Sequence, residues 1–109
     1  MLVSLLVVLV LLILVWYVST PVIVYKFFRP DCPHCVNLQE NWSELETYLA
    51  SKNIRVINVN NNSEYSKDLV AKYEIKGVPT IIAVGKYGSK VEYDGDRSVD
   101  DLIKWADSL

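Results

Sequence analysis

Both cysteines of this 109-residue chain and its only histidine fall in one stretch, Phe27 to Asn37, FFRPDCPHCVN. Cys32 and Cys35, three positions apart, could be a structural disulfide, half of a metal site, or a working redox pair. A ring this small restricts little chain entropy, so a structural disulfide would add little stability. A structural metal site takes about four ligands. The chain offers Cys32, Cys35 and His34 and no fourth soft ligand, so a bridged dimer or an external thiol would have to complete a zinc or iron–sulfur site. Exchange between thiols and disulfides asks for neither metal nor organic cofactor, and the pair suits it best.

The chemistry follows from position. Pro33 suits the first turn of a helix, which puts Cys32 at the helix N-terminus, beside unpaired N–H groups and the positive end of the dipole. Thiols in such CxxC sites fall to about 3.5–7.5 from an ordinary ~8.5. Protonated His34 would add a positive charge near Cys32, and the Asp31 carboxylate would work against it. A stabilised thiolate is both a nucleophile and a good leaving group. The expected cycle has Cys32 attack a substrate disulfide, or be attacked by a substrate thiolate when the pair is oxidised. A mixed disulfide forms, and the more buried Cys35 resolves it. With no third cysteine in the chain, the cycle needs protein thiols or disulfides as substrates and an external redox partner.

The elements that must hold this pair lie on either side of it. Val22 to Phe28, VIVYKFF, is β-rich without clean alternation, as in a central strand buried on both faces. Val36, Leu38, Trp42, Leu45 and Leu49 then follow at roughly helical spacing. Ile54 to Val59 is a second strand, and Asn60-Asn61-Asn62 a turn. Ser63 can cap a helix carrying Tyr65, Leu69, Val70 and Tyr73 on one face. Thr80–Val84 and Lys90–Asp94 flank Lys86-Tyr87-Gly88-Ser89 as a hairpin. Ser98, with Asp101 three later, starts a last helix with Leu102, Ile103, Trp105, Ala106 and Leu109 on its apolar face. The order is β-α-β-α-β-β-α. The crossover helix implies a parallel pair and the hairpin an antiparallel one, giving an α/β domain with a mixed four-stranded sheet.

This arrangement, with Cys32-Pro33-His34-Cys35 after the first strand and Gly77-Val78-Pro79-Thr80 about 45 residues on, resembles the thioredoxin superfamily over about residues 21–109. Phe28 to Cys35 and Tyr93-Asp94-Gly95-Asp96-Arg97 are most similar to protein disulfide isomerase domains, while Pro33-His34 is the inner dipeptide of strongly oxidising periplasmic enzymes. The resemblance implies a thioredoxin-like fold and a cis Val78–Pro79 bond beside the CxxC. Val78 would then turn its carbonyl and N–H toward an incoming peptide. The chain departs from the family in three places. The usual first strand and helix are absent, and Asp31 replaces an aromatic residue. Six back from Cys32, where a buried acid commonly accepts the proton of the second cysteine, stands Lys26. A partly buried lysine with a depressed pKa could still relay protons or stabilise a thiolate; alternatively it snorkels past the sheet to water.

Residues 2–18, LVSLLVVLVLLILVWYV, carry no charge. A helix that is apolar on every face belongs in a membrane or a large core, and Pro21 ends it near Ser19. The reading is a single-pass signal-anchor over 1–19, Trp16 and Tyr17 forming an interfacial belt, with a thioredoxin-like domain at 20–109. A cleaved signal peptide would need basic residues before the run, and none stands there. The flanking Lys26 and Arg29, counted naively, place the domain in the cytoplasm. The sequons Asn41-Trp42-Ser43 and Asn61-Asn62-Ser63 carry meaning only on a lumenal side. Lumenal or exoplasmic and cytoplasmic placements both stay open, a viral membrane among them. With 11 Lys and Arg against 13 Asp and Glu and no basic run, the chain has no nucleic-acid signature. The functional alternatives to redox exchange are a redox-inactive thioredoxin-like adaptor and a metal- or cluster-binding CxxC protein.

Overall fold

The computed structural model describes residues 1–18, 22–85 and 88–109. The junction at Ser19, Thr20 and Pro21, the hairpin residues Lys86 and Tyr87, and the side chains of Trp16, Tyr17 and Val18 lie outside the described residues. Among the described residues eight elements follow in order: α1 (Leu2–Val18), β1 (Ile23–Phe28), α2 (Pro33–Ser51), β2 (Arg55–Asn60), α3 (Ser66–Lys72), β3 (Thr80–Val84), β4 (Lys90–Glu92) and α4 (Val99–Asp107).

The four strands form one sheet in the order β2-β1-β3-β4. β1 pairs parallel with β2 and antiparallel with β3, and β3 pairs antiparallel with β4. The mixed sheet expected from the crossover and the hairpin is therefore present. β1 is central, which explains its missing alternation. Val24 packs with Leu38, Trp42, Leu45, Leu49, Leu102 and Ala106 under α2 and α4. Tyr25 and Phe27 pack with Val59, Tyr73 and Ile82 on the opposite face. Lys26 is the one charged residue of this strand and is only 4% exposed.

The interior of α2 is Cys35, Leu38, Trp42, Leu45 and Leu49, a strict three-four alternation that keeps one face on the sheet. Trp42 is fully buried, and its indole Nε1 donates to Asn58 Oδ1 at 2.9 Å, tying α2 to β2. Val36, expected on the buried face, is 62% exposed. It follows Cys35 by one position and is turned about 100° away from it. At its far end α2 meets α4 through Lys52, whose Nζ lies 2.9 Å from Asp107 Oδ1, with the Tyr48 hydroxyl donating to the same oxygen.

Three local expectations change. Ser63 does not cap α3; its Oγ accepts from Tyr65 N at 3.2 Å, and a further turn closed by Ser66 N to Ser63 O at 3.1 Å precedes the helix. Tyr65 consequently points to solvent at 93% exposure, while Tyr73 packs on Tyr25 with ring centroids 5.5 Å apart. β4 stops at Glu92, two residues early, because Tyr93 turns inward against Trp105 with its hydroxyl 2.7 Å from Asp101 Oδ2. The box-like start of α4 stands, with Ser98 Oγ accepting from Asp101 N at 3.2 Å.

α1 spans 17 residues, and residues 1–15 are exposed along its length. Among the described residues no helix is both long and apolar enough to cross a membrane.

Candidate active site

The strand-to-helix step from Phe28 to Pro33 places the two thiols. Cys32 N donates to Arg29 O at 3.2 Å, closing the turn that ends β1. Cys32 is the N-cap of α2 in an extended conformation, and Pro33 takes the first helical position, where a missing N–H costs nothing. In place of a hydroxyl or carboxylate, the cap acceptor is sulfur: Cys32 Sγ receives Cys35 N at 3.2 Å. The helix thus binds its own nucleophile through an otherwise unpaired terminal N–H.

Both cysteines are free thiols and both are 6% exposed, yet their acidities diverge. A hydrogen bond from the Cys35 thiol holds Cys32 below the ordinary thiol range. The backbone N–H groups of Cys35 and His34 and the Arg29 guanidinium act in the same direction, while desolvation opposes them. Burial pushes Cys35 up, and its role as donor to Cys32 adds to that; the Lys26 ammonium pulls it the other way. One thiol is poised to attack and the other is held in reserve.

Val78 joins the site from the far side. The Val78–Pro79 bond is cis, as the resemblance implies. Cys32 Sγ lies 3.9 Å from the Val78 carbonyl oxygen, within reach for a thiol donor. Cys32, Pro33, His34, Cys35, Val78 and Pro79 therefore converge on the N-terminal end of α2. Asp31 is at the surface with its side chain 75% exposed, and Oδ1 sits 4.0 Å from Arg29 Nε. His34 is exposed, and what it gives Cys32 is its backbone N–H.

Lys26 does not snorkel to water. β1 is an interior strand, and its side chain runs under α2, where Nζ donates to Gln39 Oε1 at 3.1 Å and lies 5.1 Å from the ring centroids of both Phe28 and Trp42. Lys26 and Cys35 line one small, open cavity of about 190 Å³, together with Phe28, Arg29, Pro30, Val36 and Gln39. Gln39 was not singled out from sequence, and Arg29 was read only as a flanking charge and not as a site residue. Gln39 carried a signal all the same, because it follows Cys35 by four positions and so shares its helix face. Among the described residues no group of three or more His, Cys, Asp or Glu side chains could hold a metal ion. Neither sequon asparagine is freely exposed: Asn41 donates to Arg97 O at 3.0 Å, and Asn61 Oδ1 is buried without a partner among the described residues.

Known proteins are similar to this chain over most of its length. The chain is 34% identical over 86 residues to a protein disulfide-isomerase of Ricinus communis, an alignment covering 76% of this chain and 17% of that protein. It is 32% identical over 91 residues to mouse protein disulfide-isomerase A6, covering 81% and 20%. The chain thus spans about a fifth or less of the length of these curated relatives. In fold it superposes on the J-Trx1 fragment of ERdj5 with a TM-score of 0.72 at 24% identity, covering 83% of this chain and 42% of that one. The thioredoxin family itself matches over residues 15–108, which takes in every strand of the sheet and both faces of its core, and the chain belongs to that family.

Proposed function

We propose that the chain is a membrane-tethered thiol–disulfide oxidoreductase that exchanges disulfides with protein substrates through Cys32 and Cys35. The observation that carries this reading is the split between the two thiols. Cys32 caps α2 and is made acidic there, while Cys35 is buried one turn inside the helix with its thiol pushed up. In the reducing direction the Cys32 thiolate attacks one sulfur of a substrate disulfide, and the other leaves as a thiolate. Cys35 then loses its proton and attacks Cys32 sulfur, releasing the second substrate thiol and leaving the Cys32–Cys35 disulfide. The oxidising direction runs the same steps backward. The Val78 backbone beside Cys32 gives an extended substrate segment a strand-like partner. The protein disulfide-isomerases among its relatives agree with this chemistry, and Pro33-His34 leans toward oxidase or isomerase. An external redox partner returns the pair to its starting state.

The tether rests on α1. Its 17 residues carry no charge, and at about 1.5 Å each they reach roughly 26 Å, short of the ~30 Å hydrocarbon core of an average bilayer and suited to a thin one. With the full chain in lipid vesicles, alkaline carbonate is expected to leave it with the lipid. Replacing Leu9 and Leu12 together with arginine, at about 2.5–3.5 kcal/mol each at mid-helix, is expected to release it. Release of the unaltered chain would remove the tether from the proposal.

The redox reading is tested by alkylation of the reduced chain against pH. Thiolate is the reactive form. Because Cys32 is lowered, its rate should stay near its plateau as pH falls past the ordinary thiol value of about 8.5 and decline only below that. Cys35 should react only at alkaline pH. A Cys32 that titrates at or above the ordinary value would overturn the assignment of nucleophile.

A further inference from the structure

We infer that Lys26 is the charge and proton partner of Cys35, so that the pair is driven by a buried amine. This rests on the redox reading above and assigns a group that reading does not use. Three observations converge. Lys26 is 4% exposed in the central strand, and among the described residues no carboxylate lies within 4.0 Å of its ammonium. Among the described residues its Nζ has one neutral acceptor, Gln39 Oε1 at 3.1 Å, and two aromatic faces. It lines the same cavity as Cys35, the thiol that must be deprotonated for a mixed disulfide to resolve.

A buried ammonium with neutral neighbours is costly unless an anion is supplied. Among the described residues, the anions that act on it from the elements packed against it are on α2: Glu46, and Cys35 when deprotonated. Arg29, which lines the cavity from the loop, is a like charge. Burial accordingly lowers Lys26 while Glu46 and Cys35 raise it. The step balances without another reagent. Neutral Lys26 takes the proton of the Cys35 thiol, becoming an ammonium beside a thiolate. That thiolate attacks the Cys32 sulfur of the mixed disulfide, the bond from Cys32 to the substrate breaks, and the substrate leaves as a thiolate. Lys26 then returns its proton through the cavity mouth to water or to the departing thiolate. The sign is opposite to that of a buried acid, since an ammonium favours the reduced, anionic pair.

Two variants of the full chain separate charge from proton transfer. K26M removes both functions. It replaces a buried charge by an apolar chain of similar length, a change that is often neutral or stabilising. K26R keeps the charge and cannot accept a proton. Resolution of a preformed mixed disulfide with glutathione is expected to slow at pH 7 by about tenfold or more in both, with the rate rising more steeply with pH than in the unaltered chain. The equilibrium with glutathione should shift about tenfold toward the oxidised pair in K26M alone, some 30 mV. Equal resolution rates and pH profiles in all three proteins would overturn the assignment.

A measurement on the unaltered chain guards against a variant that misfolds. Lysine labelled at Nζ is expected to titrate below an ordinary lysine at position 26, and higher in the reduced pair than in the disulfide, because reduction supplies the anion. An ordinary value that is the same in both redox states would also overturn it. If the unaltered chain forms no mixed disulfide with glutathione at all, the redox reading fails first and Lys26 falls with it.

Discussion

Cys35→Ser is expected to turn a transient mixed disulfide into a stable one, and Cys32→Ser to abolish exchange. The two thiols are three positions apart and equally exposed at 6%, so exposure alone does not distinguish them; the stronger effect of burial on Cys35 and the hydrogen bonds to Cys32 do. Cys32 sulfur accepts Cys35 N at 3.2 Å and faces Val78. Cys35 has no such position at the helix end. Losing a covalent nucleophile can cost about 10⁶ in turnover, and for Cys32→Ser a fall of at least about 10³-fold is expected in disulfide reduction. Cys35→Ser leaves a hydroxyl able to donate to Cys32, so alkylation of Cys32 should keep most of its rate at pH 7 while turnover collapses. On a non-reducing gel that variant should carry slower bands that vanish with a reductant, and Cys32→Ser should carry none. Bands trapped by Cys32→Ser but not by Cys35→Ser would exchange the two roles. A double Cys→Ser variant with full biological function would instead point to an adaptor.

Much of this site could be read before any geometry, for a physical reason. Capping, proline at the first helical position and CxxC spacing are local, so Cys32, Pro33 and Cys35 are placed by neighbours within one turn. The strand from Val22 to Phe28 was legible because a central strand has no solvent face, which erases alternation. Lys26 was only half legible. Its rank within the strand could be counted, but whether its ammonium meets water depends on Trp42 and Gln39, more than ten positions away across a helix–sheet interface. Arg29 was passed over for the same reason, as its influence on Cys32 acts through space. The onset of α3 was misplaced because Ser63 can serve a turn or a cap, and the extra turn to Ser66 is decided by the Asn60–Asn62 corner. Val36 shows the limit of reading periodicity by eye: one position from Cys35 is enough to move a valine from core to the rim of the site.

Trp42→Ala is expected to be the most destabilising single change in the core. Trp42 is the largest fully buried side chain among the described residues, packed with Val24, Leu45, Leu49, Ile81 and Leu102. Truncating such a residue costs about 3–5 kcal/mol from lost burial and the cavity left behind. Domains of this size are stable by about 5–15 kcal/mol, and each kcal/mol moves the midpoint by about 4–8 °C, so a fall on the order of 20 °C is expected in thermal unfolding. Trp42→Phe separates the contributions. It keeps most of the volume and loses the hydrogen bond to Asn58, worth about 0.5–1.5 kcal/mol; since Asn58 is exposed, water can take the place of the indole. A drop of about 1–2 kcal/mol is expected, with Cys32 alkylation unchanged against pH. The reason is geometric: Trp42 holds the middle of α2 to the sheet, whereas the acidity of Cys32 comes mainly from groups in the first turn. If Trp42→Phe instead shifts the pH profile of Cys32 while the fold stays intact, the nucleophile is tuned from the helix–sheet interface, and the local account of its acidity fails.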